Sequence, residues 1–250
     1  MQPRCAATAR MPAEARPDVT QGGNPGRQPQ GSNPEATAAM TANAREPKPP
    51  QPLDPAAADA VNAVYHLYDP PLWLVTAAES PAAGSARGGC IATFVARASI
   101  VRDRPRMLAG IARQHHTWRM IEASRRFALY LLPASALALV WRFGLASGKQ
   151  VDKYADLPDT RTPLGNPWVD EPIAWLDCQV EQAMSTGDRS VYIAAVTGGA
   201  TLANAAEPLT AGGLMALAPT DKRAELDRLY ARDGGIDAAA IETWRTGHAD

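Results

Sequence analysis

The 250-residue sequence is short of cysteine, of net charge and of long apolar runs, and each shortage removes a class of protein. Its three cysteines, Cys5, Cys90 and Cys178, are too few and too scattered for a disulfide framework, and none forms a C-x-x-C pair. A reducing, cytoplasmic setting is expected. A formal net charge of −1, with no basic patch interleaved with aromatics, argues against a nucleic-acid partner. The first residues contain no continuous apolar segment of the secretory kind, and no later stretch has the apolar length of a bilayer span, so no membrane partner is expected. Also missing are a G-x-G-x-x-G opening a βαβ unit, a P-loop and a G-x-S-x-G elbow. His115 and His116 are adjacent and diverge by roughly 100° on a helix, and nothing else stands at zinc-site spacing, so no metal site is expected. No residue declares itself as a catalytic acid or base.

What is present begins with a change of composition. Eleven of the twenty-two prolines fall within the first 55 residues, where large apolar side chains are nearly absent. Such a segment buries too little surface to offset the entropy of ordering it, so 1–55 reads as a disordered Pro/Gly-rich tail, with Met40 as an alternative start. Residues 56–205 read as the principal domain and 206–250 as a helical appendage. The stretch PAAADAVNAVYHLYD, from 55 to 69, should form a short helix packed on that domain, closed by Pro70 and Pro71.

The centre of the chain is 88–118, GGCIATFVARASIVRDRPRMLAGIARQHHTW. Residues 90–99 read as a strand that mixes Ile91, Phe94 and Val95 with small positions, leaving room for a ligand against the backbone. With no intervening bulge, Thr93, Arg97 and Ser99 share one face at the strand period of two. An apolar strand, 107–112, then leads into a polar turn that opens an amphipathic helix. The first amides of a helix lack partners and carry partial positive charge, so a turn offering Arg113, His115, His116 and Thr117 makes a phosphate seat. With 72–77, 126–132, 173–182 and 190–196, the strand count reaches six, which suits a small closed barrel. The turn around Thr186, Gly187 and Asp188 joins the last two strands, 156–172 is an irregular excursion, and three helices follow residue 207, with Thr220 as an N-cap. Trp73, Trp141, Trp168, Trp175 and Trp244 are assigned to packing.

The order of ATFVARAS, a D-x-P turn (Asp103, Arg104, Pro105), FALYLL (127–132), VDKYADL (151–157), AWLDCQVE (174–181) and TGDRSVYIAAV (186–196) resembles the flavin reductase-like, FMN-binding split-barrel family over roughly 70–200. The resemblance implies a mostly β fold, a six-stranded split β-barrel with C-terminal helices, and a homodimer with FMN near the subunit interface. In similar proteins the central segment lies along the flavin, so Thr93, Phe94, Arg97 and Ser99 become FMN contacts. Arg113, His115, His116 and Thr117 correspond to the place where the phosphate is held, and Lys153 adds a positive charge there. FAD would share that phosphate turn. Similar reductases carry G-D-H where this chain has Gly187, Asp188 and Arg189. A permanently charged arginine cannot relay a proton as a neutral group, but it suits a reduced, anionic flavin or a nucleotide phosphate. The implied activity is an NAD(P)H-dependent flavin reductase that passes electrons to an acceptor protein. An FMN-binding electron carrier without nicotinamide turnover is the alternative, with Arg189 in its favour. A barrel that has lost flavin and serves only to recruit partners is the third reading.

Overall fold

The computed structural model describes residues 50–170, 172–202 and 206–247. The expected disordered tail therefore lies, except for its last residues, outside the described part of the chain. Seven strands make one antiparallel sheet: β1 (Trp73–Ala78), β2 (Arg87–Ala92), β3 (Val95–Arg97), β4 (Arg106–Ala112), β5 (Arg126–Leu131), β6 (Ala174–Ser185) and β7 (Arg189–Thr201). Their spatial order is β2-β1-β5-β6-β7-β4-β3.

That order dictates the shape. β2 and β3 are the two outermost strands, yet only Thr93 and Phe94 separate them in sequence. Six strand spacings of about 4.8 Å would hold the edges of a flat sheet nearly 30 Å apart, whereas two linking residues reach only about 10 Å. The sheet must curl until its edges meet, which makes a half-barrel of the split-barrel kind. The expectation of six strands is corrected to seven here. The segment read as one strand, 90–99, is broken at Thr93 and Phe94 because the chain there steps from one edge of the sheet to the other. Ser99 lies beyond the end of β3, so the period-two argument that joined Thr93, Arg97 and Ser99 on one face does not hold.

Both faces of the central strands are covered. Inside the curl, Val75, Ala77, Phe127, Leu129, Cys178 and Tyr192 meet Met120 and Ile121 of α2 (His116–Ser124). Outside, the alternate residues Leu74, Ala128 and Tyr130 pack with Val140 and Phe143 of α3 (Leu137–Gly144), with Tyr154, and with Leu209 and Leu214. Two buried faces explain why FALYLL is apolar at nearly every position. β2 passes between the two helices on a pair of glycines. A Cβ on Gly88 would lie 2.8 Å from Thr117 Cα, and one on Gly89 would lie 2.6 Å from the Phe143 ring. No other residue fits at either place.

The irregular excursion after α3 is pinned from within. Thr76 and Tyr130 both donate to the Pro167 carbonyl, at 2.8 and 2.9 Å. Asp177, fully buried on β6, accepts from the Thr162 hydroxyl, the Leu164 amide and the Asn166 side chain at 2.8–3.0 Å.

Three expectations about helices are corrected. The first helix, α1 (Pro55–Tyr65), does form, with Asp54 accepting from the Ala57 amide and proline at its start, but it buries no residue. Val61, Val64 and Tyr65 are exposed, so local capping and alanine content, rather than packing on the barrel, account for it. After residue 207 there are two helices, not three: α4 (Ala211–Leu217) and α5 (Thr220–Thr246), which runs unbroken through Gly234 and Gly235. Pro219 rather than Thr220 is the N-cap of α5. Among the described residues no helix is long and apolar enough to cross a membrane.

Candidate functional site

Closure of the sheet brings the β2–β3 link, the end of β4 and the tip of the β6–β7 hairpin together at one mouth. The Gly110 amide donates to the Phe94 carbonyl at 2.8 Å, and the Arg113 amide donates to the Asp188 carbonyl at 2.9 Å. The tip needs Gly187, whose φ of +89° is costly for any other residue. From the tip, the Arg189 guanidinium lies 4.6 Å over the Phe94 ring, donates to Asp188, and reaches Asp237 of α5 at 2.8 Å. Arg113 lies over Trp118, whose indole N–H donates to Ser190 at 2.9 Å.

Beside this mouth α2 begins, and it begins without a cap. His115 stands at the N-cap position with extended backbone and makes no side-chain hydrogen bond to the helix. Gln114 Oε1, His115 Nδ1 and His116 Nδ1 are all buried without a hydrogen-bond partner. An uncapped helix start that also carries three unsatisfied polar atoms is unusual, because a buried polar group without a partner costs roughly 1–3 kcal/mol. Burial depresses both histidines below the ordinary imidazole range, and the nearby Lys149 and Lys153 push the same way. Thr117 is buried, and its hydroxyl meets the Cys90 thiol, whose own pKa burial raises.

Lys153 approaches from the outer side of β2. Its ammonium is buried and donates to the carbonyls of Gly89, at 3.0 Å, and Phe143, at 2.7 Å. Burial lowers its pKa from the ordinary lysine value. It lines a cleft of about 460 Å³ with Arg87, Gly148, Lys149 and Tyr154, and Gly148 in turn abuts the His116 ring.

Eight of the expected site residues thus gather around the mouth and the start of α2: Thr93 and Phe94 in the link, Arg113, His115, His116 and Thr117 in the turn, Lys153 behind them, and Arg189 on the hairpin. Arg97 and Ser99 stand apart. Arg97 pairs with Met107 at the opposite end of β4 and donates to the Ser99 carbonyl at 2.6 Å, beside a second cavity of about 550 Å³ lined by Pro105, Leu176 and Val196. Gln114, Lys149 and Asp237 belong to the gathered set but were not singled out from sequence. Gln114 sits among the named residues of its own turn, whereas Asp237 is 48 residues from Arg189 and no local pattern points to it.

A family model described as the flavin reductase like domain matches residues 65–216, more than half of the chain. The chain belongs to this family. Curated relatives include the high molecular weight rubredoxin of Moorella thermoacetica, 30% identical over 141 residues, which are 56% of this chain and 58% of that protein. Another is the reductase subunit HsaB of a flavin-dependent monooxygenase of Mycobacterium tuberculosis, 30% identical over 99 residues, 40% of this chain and 51% of that subunit. The matches thus span just over half the length of these relatives. Among solved structures, an NADH:FAD oxidoreductase of Streptomyces globisporus aligns with a TM-score of 0.55 at 20% identity, covering 66% of this chain and 95% of that one. An FMN-binding protein of Thermus thermophilus aligns with a TM-score of 0.51 at 20% identity, covering 66% and 86%. At that identity the structural matches speak for the fold.

Proposed function

We propose that this flavin reductase family member binds FMN at the mouth formed by the β2–β3 link, the 113–117 turn and the hairpin tip, and reduces it with NAD(P)H. The observation that carries the reading is the uncapped start of α2, where unpaired amides and the orphaned nitrogens of His115 and His116 lie near the buried ammonium of Lys153. These residues fit a phosphate. A bound anion would accept hydrogen bonds from the first amides and the ring N–H groups, and the helix dipole would favour its charge.

In this reading Thr93 and Phe94 provide the surface for the ring, and Arg113, His115, His116, Thr117 and Lys153 hold the phosphate. Arg97 and Ser99, at the far end of β4, fall outside this seat. Arg189, at the hairpin tip, would supply a permanent positive charge suited to a reduced, anionic flavin. The flavin, held by these residues, would supply hydride acceptance from a nicotinamide and onward electron transfer to an acceptor. The protein's task is to hold two flat ligands together and to exclude water, so no acid or base is required of it. A second copy of the chain completes the shielding of so shallow a site. The acceptor is proposed to be a partner protein, as the relative named a monooxygenase reductase subunit suggests. FAD would use the same phosphate turn. The setting is cytoplasmic, in keeping with Cys90 and Cys178, which are both free thiols.

One observation favours a second reading. Where similar reductases have a histidine, Arg189 is held by two carboxylates and an aromatic ring, an arrangement suited to a flavin carrier reduced by another donor. Absorbance spectra of the purified protein with FMN, before and after anaerobic addition of NADH and then NADPH, separate the two. Bleaching of the flavin bands supports the reductase, and bands that persist with both nucleotides support the carrier. A protein that binds no FMN refutes both.

A further inference from the structure

We propose that α5 is a strap across the site, with the Asp237 carboxylate occupying, between Arg189 and Gln114, the place that a phosphate-bearing ligand takes when it binds. The inference rests on the flavin reading above and adds a built-in competitor to it. Both oxygens of Asp237 are engaged at the mouth: Oδ2 accepts from Arg189 at 2.8 Å, and Oδ1 accepts from the Gln114 amide at 3.4 Å. One turn earlier on the same helix, Asp233 bears on His115 while pairing with Arg232. Residues four apart share a helix face, so α5 turns two carboxylates toward a turn otherwise rich in donors.

The hairpin tip is shaped to receive this helix. A Cβ on Gly187 would lie 2.6 Å from Trp244 Cβ and 2.8 Å from the Ala240 carbonyl, so α5 rests directly on the glycine backbone. Yet the attachment is slight. None of the 27 residues of α5 is buried, and only Leu226 joins an apolar core. Asp237 ties this helix to Arg189 and Gln114 at the mouth, and farther along it Arg245 donates to the Pro50 carbonyl. The closed arrangement also leaves His115 Nδ1 and Gln114 Oε1 buried and unpaired, so it does not satisfy the groups that it covers. Arg189 holds Asp188 through Nε and Asp237 through Nη2, so an arriving anion competes with two carboxylates for the guanidinium.

If the strapped state dominates in the free protein, apparent affinity is reduced by the fraction that is open. Removing one charge-assisted contact at the latch should therefore raise it. The test uses the full chain as wild type, Asp237→Asn and Asp237→Ala, titrated calorimetrically with FMN, with NADPH and with inorganic phosphate. Hydrogen exchange over α5 is followed with and without each ligand. Both variants should bind FMN about tenfold more tightly than wild type, and FMN should speed exchange over α5 in wild type. Unchanged or weaker FMN affinity in both variants, or exchange over α5 that FMN leaves untouched, overturns the strap. If neither wild type nor variant binds FMN, the flavin reading fails, and the strap is then judged by the other two ligands. Tighter binding of NADPH or inorganic phosphate by the variants, with faster exchange over α5, sustains it, and the absence of both effects overturns it.

Discussion

Replacing Lys153 with methionine separates a ligand-binding role from a structural one. The ammonium makes two hydrogen bonds to backbone carbonyls, at 2.7 and 3.0 Å, and none to a carboxylate. Each charge-assisted bond of this kind contributes about 1.5–3 kcal/mol, whereas keeping an ammonium out of water costs several kcal/mol. Methionine has a similar length and removes the desolvation cost along with the bonds, but it leaves the Gly89 and Phe143 carbonyls without this donor, so stability should fall by about 2–4 kcal/mol. Phosphate binding has no such compensation. The two carbonyls use two of the three donors that an ammonium carries, and Lys153 lines the cleft. Losing one charge-assisted contact there should weaken FMN about 10- to 100-fold. Urea unfolding and FMN titration of the same preparations supply both numbers. A variant that unfolds about 3 kcal/mol more easily yet binds FMN as wild type does would make Lys153 a structural strut and refute its place in the phosphate seat.

Asp177→Ala should cost about 3–5 kcal/mol, because it strips partners from Thr162, Leu164 and Asn166 together, and proteolysis within 156–172 should accelerate. A loss under about 1 kcal/mol would mean that the excursion is held elsewhere, by Pro167 above all. Stability should also fall with pH below about 6.5, the ordinary histidine value. Burial keeps His115 and His116 neutral in the folded chain to lower pH than in the unfolded one. The unfolded state therefore binds more protons in that window, and stability present above it is lost as pH falls. Urea midpoints between pH 7.5 and 5.5 should decline, and the doubly substituted His115→Gln, His116→Gln protein should show a flatter slope. A midpoint that holds steady or rises in wild type contradicts the assignment.

The sequence by itself determined the features that neighbouring residues encode. Thr186, Gly187 and Asp188 specified the hairpin turn, since only glycine adopts that φ without strain. Asp54 and Pro55 marked where a helix starts, and the apolar run 127–132 marked a strand. The order of such elements, together with the polar turn at 113–117, was enough to point to the family. Tertiary structure decided what depends on closure of the sheet. That Thr93 and Phe94 break a strand follows from the two sheet edges meeting, which no window of residues around them can report. The path of α5 brings Asp237 to Arg189 and Gln114 across 48 and 123 positions of chain. Lys153 finds its two carbonyls only because β2 and α3 lie side by side. Period and capping are local hydrogen-bond physics, and a residue carries them wherever it stands. A charge acquires its partner only when the fold has placed both, and the proposed site consists largely of such pairs.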